Sequence, residues 1–201
     1  MTPVELPAPL RKAIEDALGP QARLLWERFD GIGDRGAKTT GVTVDEQSSG
    51  VIHKTKLSFT NLVVAITDTG GASGGYGSKK LYDFPAGYID VLMVRTNFSV
   101  VAAAGIGATA ALKHSVGTAA EATNDTLDST QANLVASTST SLVGSAGAPK
   151  GISGAAPVPV DGTSAAATLN LNFGVADAGI TATSSVTITG SVIVYWLGPV
   201  A

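Results

Sequence analysis

The sequence predicts a mainly β protein: an antiparallel β-sandwich or jelly-roll-like domain over residues 51–201, preceded by a short helical N-terminal arm and linker over residues 1–50. Three observations predict it. From Val51 onward apolar residues recur with period two, in runs bounded by turns rich in glycine, proline and aspartate. Seven to nine such runs follow one another without the helical crossovers that a parallel α/β fold needs. The composition also changes at the same boundary, because residues 1–50 hold 14 of the 29 charged side chains.

In the arm, Leu10, Ile14 and Leu18 stand at i, i+4 and i+8 with Ala13 and Ala17 beside them, a short amphipathic helix stopped by Gly19-Pro20. Ala22, Leu25, Trp26 and Phe29 continue at helical spacing until Asp30-Gly31. Two readings stand side by side: a helical pair packed on the main domain, or an anchor that docks on a partner through Leu25, Trp26 and Phe29. Helices this short are marginal without packing, so either way that face needs a cover. Residues 31–50 are polar and punctuated by glycine, and read as an extended linker.

The domain begins with alternation of Ile52, Lys54, Lys56 and Ser58 against His53, Thr55, Leu57 and Phe59, with a second strand at Leu62–Thr67. Residues 68–78 (DTGGASGGYGS) read as a glycine-rich connection, and Lys79–Phe84 as a strand. Pro85-Ala86-Gly87 makes a reversal, and Tyr88–Ala104 a long strand dense in large side chains. Residues 108–116 and 133–143 are weaker strands, residues 117–132 have mixed helical and turn character, and residues 144–161 read as a loop. Two clear strands close the chain. Residues 165–175 alternate through Leu169, Leu171 and Phe173, and residues 184–197 through Val186, Ile188, Val192, Val194 and Trp196, with Gly190 marking a bulge or a close backbone approach.

Charged residues make up 14% of the chain, against about 25% in an average soluble domain, so the surface is either small and uncharged or covered by copies or a partner. A net charge of −3 gives no global attraction to nucleic acid or anionic membrane. Without cysteine there is no disulfide, thiolate zinc site or cysteine nucleophile. No secretory signal or transmembrane run is expected.

The motifs that could carry chemistry read as structure. Gly105-Ile106-Gly107-Ala108-Thr109-Ala110 fits G-x-G-x-x-A, but a β-like segment follows where a dinucleotide site needs a helix. The lysines Lys79 and Lys80 follow Ser78 rather than the last glycine of a P-loop. His53 and His114 are the only histidines, too few for a zinc site without a marked carboxylate cluster, and are expected at strand surfaces or ends. Asp83 and Asp90 flank the reversal as turn residues, and Asn124, Asp125 and Asp128 lack calcium-loop spacing. No catalytic residue, cofactor or metal is expected, nor enzymatic activity.

The stretches VIHKTKLSFT (Val51–Thr60), TDTG (Thr67–Gly70), YGSKKLYDFPAGYI (Tyr76–Ile89) and VTITGSVIVYW (Val186–Trp196) together resemble a family of tailed-bacteriophage virion proteins. The resemblance implies a capsid decoration, or cement, protein. Such a protein sits on the outer capsid surface of the virion and ties neighbouring major capsid subunits together. Its partners would be the major capsid protein and copies of itself, as a trimer or dimer, with no nucleic acid and no membrane. Leu25, Trp26 and Phe29 are the candidate anchors, and Lys79 and Lys80, ending the Gly71–Lys80 loop, a second candidate contact. The alternative is a head fibre or a tail or baseplate adaptor with a receptor- or glycan-binding role.

Overall fold

The computed structural model describes residues 36–49, 52–107, 110–141, 150–152 and 157–198. They form eleven strands: β1 (Ala37–Lys38), β2 (Val42–Ser49), β3 (Ile52–Asp68), β4 (Gly75–Asp83), β5 (Gly87–Ala102), β6 (Ala111–Gly117), β7 (Val135–Ser141), β8 (Lys150–Ile152), β9 (Val158–Gly162), β10 (Thr168–Val175) and β11 (Ser184–Leu197). Among the described residues the only helical pieces are 3₁₀ turns at Gly71–Ser73, Ser129–Gln131 and Asp177–Gly179. The helical segments read from residues 10–29 lie outside the described residues.

All the strands belong to one antiparallel, curled sheet. Its order is β7-β6-β10-β4-β3-β11-β5-β8, with β1 added on β4, β2 on β3 and β9 on β5. The curl is made at the β3–β4 junction, where only Thr67 opposite Tyr76 and Asp68 opposite Gly75 are paired. Glycine is required there. A Cβ on Gly77 would strike the Ala65 carbonyl oxygen, and one on Gly75 would reach Ile180 and Ile66.

The two halves of the curl share one core. Phe98 of β5 meets His114 of β6 at 5.3 Å and Phe173 of β10 at 6.2 Å, centroid to centroid. Trp196 of β11 meets Phe84 edge-on at 5.6 Å. The period of two in β11 sends Val186, Ile188, Val192, Val194 and Trp196 inward, and all five are buried. Each such side chain contributes about 1.5–3 kcal/mol by leaving water. Pro85-Ala86-Gly87 makes no hairpin, since β4 pairs with β10 and β5 with β11; it carries the chain from one half of the curl to the other.

Several sequence expectations change. Residues 36–49, read as linker, are sheet: β2 pairs with β3 from Val42 opposite Phe59 to Ser49 opposite Ile52, so a boundary at residue 50 cuts a hairpin. The two strands expected within residues 52–67 are one, interrupted by an extra residue at Asn61, whose φ of 51° is left-handed. The bulge lies on β3. Gly190 opposite it meets the other expectation, close approach, since a Cβ there would strike the Asn97 carbonyl oxygen and the Phe98 backbone. The glycine-rich connection is shorter than expected, because β4 already begins at Gly75.

Candidate functional site

A buried cluster of titratable side chains lies at one end of the core. His53 and Glu46 side chains are 3% and 2% exposed, with Nδ1 of His53 3.5 Å from Oε1 of Glu46. The imidazole stacks on Trp196 at 3.9 Å, and the indole Nε1–H donates to the Thr55 hydroxyl at 2.9 Å. The Tyr82 hydroxyl accepts the Gly36 N–H at 2.8 Å and donates to Glu46 Oε2 at 3.1 Å. Burial, with the charge of Glu46 beside it, pushes the Tyr82 hydroxyl well above the usual tyrosine range, and burial lowers the His53 pKa. A carboxylate, an imidazole and a phenol so close together resemble acid–base machinery, but they are sealed from solvent. Their observable work is to pin residues 36–46 to β3, β4 and β11.

Both histidines are buried: His53 stands at a strand end, as one expectation had it, but faces the core, and His114 lies in the middle of β6. His53 shares its face with Thr55, Leu57 and Phe59, and His114 with Leu112 and Val116, so the pleat carries both inward. His114 is fully buried against Phe98, and burial lowers its pKa to about 4.

The open depression of about 340 Å³ beside Gly41, Val42, Thr43, Ser58, Phe59 and Thr60 brings together no titratable side chain. The fingerprint-like Gly105-Ile106-Gly107 is a turn: Ile106 bridges Ile180, and Gly107 N–H donates to the Gly179 carbonyl at 2.9 Å. Asp125 takes Lys113 at 3.3 Å and Asp83 takes Lys80 at 2.9 Å. Among the described residues no three His, Cys, Asp or Glu side chains are grouped to hold a metal ion, and no helix is long and apolar enough to cross a membrane.

The candidate contact residues separate. Leu25, Trp26 and Phe29 lie outside the described residues. Lys79 and Lys80 are not on a loop but within β4, opposite Leu171 and Asn170 of β10.

What distinguishes the molecule is the difference between its two outer faces. On the β4–β10–β6 half, residues 118–134 fold over the outside. Asn172 holds them: its Oδ1 accepts the Glu121 N–H at 3.0 Å and the Ser78 hydroxyl at 2.7 Å, and its Nδ2 donates to the carbonyls of Ala119 (3.0 Å) and Gln131 (2.8 Å). Ser115 adds a bond to the Gln131 carbonyl at 2.8 Å, and Thr168 one to the Thr118 carbonyl at 2.9 Å. Glu121 is buried in this cover and its carboxylate accepts the backbone N–H groups of Ala122, Thr123 and Asn124. In consequence β10 is buried on both sides.

Among the described residues no segment folds over the outer face of β3–β11–β5. In successive rows it presents Ala65–Ser185, Val63–Thr187–Val101, Ser58–Ser191–Asn97, Lys56–Ile193–Arg95 and Lys54–Tyr195–Met93. Val63 and Val101 are each 56% exposed in one row, Ile52 is 46% exposed, and Tyr88 at the end of β5 is 70% exposed. An antiparallel sheet with one solvated face normally turns polar residues outward, so these valines make this face more apolar than that pattern. Sequence reasoning did not single out Val63, Val101 or Tyr88. The signal was available in the alternation, where these residues fall out of phase with the inward set.

No family model matches the chain, and no curated protein matches it. Among solved structures it is similar to the enzymatically active domain of tailspike protein 4 of bacteriophage CBA120, with 12% identity and a TM-score of 0.26. That match covers 83% of this chain and only 20% of the tailspike chain. It is also similar to a structure described as CBM4, with 8% identity and a TM-score of 0.24, covering 77% of this chain and 74% of that one. Both likenesses are slight, and the functional reading rests on this chain's own residues.

Proposed function

We propose that the chain is a structural, non-enzymatic virion protein of a tailed bacteriophage: a capsid decoration or cement protein on the outer head surface. The two halves of its curled sheet then serve as a jelly-roll-like sandwich, one outer face sealed by the chain itself and the other committed to contact. The observation that carries the reading is that asymmetry, above all the exposed Val63–Thr187–Val101 row. A protein that reinforces a lattice needs a rigid body and a binding face, and many modest contacts repeated over the lattice act multivalently. Most described residues of the four motifs that resemble tailed-phage virion proteins fall on β3, β4, β5 and β11, the strands that build this face and its junction. The test is binding of the purified chain to heads stripped of it. The variant V63D/V101D, altered only on the open face, is expected to fold normally and lose head binding. Unchanged binding would overturn the assignment of this face.

A second reading, a head fibre or a tail or baseplate adaptor that binds glycan, draws on Tyr88. Its ring is 70% exposed at the end of β5, opposite Asp161 of β9. The Thr163 hydroxyl and N–H, with Tyr88, hydrogen-bond the Asp161 carboxyl and hold it below the usual range. An aromatic face beside a fixed acceptor suits a sugar ring. Saturable binding of soluble glycans lost in Tyr88→Ala would favour this reading over the first.

A further inference from the structure

We infer that the Lys54–Lys56–Arg95 end of the open face docks an acidic protein surface with an apolar centre. The inference deepens the decoration reading by naming the chemistry of the partner, but it stands on charge and register alone. Two adjacent rows carry it. Lys54 lies opposite Tyr195, which lies opposite Met93; Lys56 lies opposite Ile193, which lies opposite Arg95. Strand geometry sets Lys54 and Lys56 about 7 Å apart along β3 and Arg95 about 10 Å away across β11. The cations thus stand on both sides of the Ile193–Tyr195 pair of β11, with Met93 beside Arg95 on β5.

None of the three is neutralised by an ion pair among the described residues, where the ion pairs are Lys80–Asp83, Lys113–Asp125 and the buried His53–Glu46 contact. The acids nearest in register are Asp45, opposite Lys56 on β2, and Asp90, one row beyond on β5. With Asp45 counted, the two rows remain net positive on a chain whose net charge is −3. Seven lysines and arginines follow residue 50, and three of them gather here, so the concentration is local.

The arrangement favours a protein partner over a nucleic acid. A strand-binding nucleic-acid surface lines a continuous basic groove with several stacking rings. Here a single tyrosine and an isoleucine occupy the middle, with lysines on one side and an arginine and a methionine on the other, which is the composition of a protein–protein contact. The outward charge steers an acidic partner in, and the Ile193–Tyr195 pair is desolvated on contact.

The test uses the full chain and three soluble probes: a random glutamate–tyrosine copolymer, polyglutamate, and an oligothymidylate of matched charge. The wild type is expected to bind the copolymer more tightly than polyglutamate, with affinity falling between about 0.05 M and about 0.5 M sodium chloride. K54E/K56E/R95E should weaken that binding by about tenfold or more, while K54R/K56R/R95K retains it. I193S should reduce binding to the copolymer more than to polyglutamate. Matching thermal melts establish that these outward substitutions leave the fold intact. Equal binding by wild type and the charge-reversed chain, no binding by wild type, or tighter binding to the oligothymidylate would each overturn the inference. Because no virion enters the assay, its failure is separable from failure of the decoration reading.

Discussion

The protonation of His114 offers the sharpest quantitative test of the core. The imidazole is fully buried, packs edge-on against Phe98 at 5.3 Å and lies opposite Phe173 in the β6–β10 register. Burial lowers its pKa from 6.5 to about 4, against a smaller raising effect from a hydrogen bond with the Thr138 backbone. The unfolded chain therefore takes up this proton first. Between pH 6.5 and 4 the unfolded state binds more protons than the folded one, so stability falls as pH falls, and the contribution is fully present at pH 7. A pKa difference of that size corresponds to about 3 kcal/mol. Urea unfolding at pH 7, 5.5 and 4 measures it, with His114→Gln as the non-titrating reference. Carboxylates and His53 change stability in both proteins, so the difference between the two pH profiles belongs to His114. A profile for His114→Gln that parallels the wild type across this range would refute the reasoning.

Three further outcomes follow from the same geometry. Asn172→Ala leaves the Glu121 N–H and the Ala119 carbonyl without their partner and the Gln131 carbonyl with Ser115 alone, and should cost about 2–4 kcal/mol in urea unfolding. Hydrogen exchange should rise first in residues 118–134. Gly190→Val adds a side chain at φ 150° against the Asn97 carbonyl and Phe98, and should lower stability by about 3 kcal/mol or more in thermal melts. In an ultraviolet difference titration of wild type against Tyr82→Phe, the Tyr82 hydroxyl should remain un-ionised well above the usual tyrosine range. Because its folded pKa is raised, the unfolded state loses the proton first, and stability should fall as pH rises above 10; Tyr82→Phe should remove that part of the alkaline loss.

The strands legible in the sequence were those whose two faces differ. Residues 184–197 gave both bounds and facing of β11 because Val186, Ile188, Val192, Val194 and Trp196 alternate with mostly Ser, Thr and Tyr. β10 was legible on one face only: Asn170 and Asn172 look like solvent positions but are buried, Asn172 on backbone partners brought by the distant segment 118–134 and Asn170 on the Thr168 hydroxyl, which itself bonds the Thr118 carbonyl. β2 was missed for a related reason. Asp45, Glu46 and Gln47 read as linker, yet Glu46 is turned inward to Tyr82 and His53, partners supplied by other strands. The open face was hidden in the same way. A valine at position 63 or 101 is an ordinary strand residue until the register shows the two flanking Thr187 on the outside. Local pattern gave the strands, and long-range pairing decided which polar residues are buried and which apolar ones are bare.

The central claim, that this chain coats a phage head through its open face, is tested most directly by its copy number in purified virions relative to the major capsid protein. The account predicts a ratio near one, or a simple fraction of one, as for a protein that tiles the lattice. A handful of copies per particle, or absence from the particle, would contradict it.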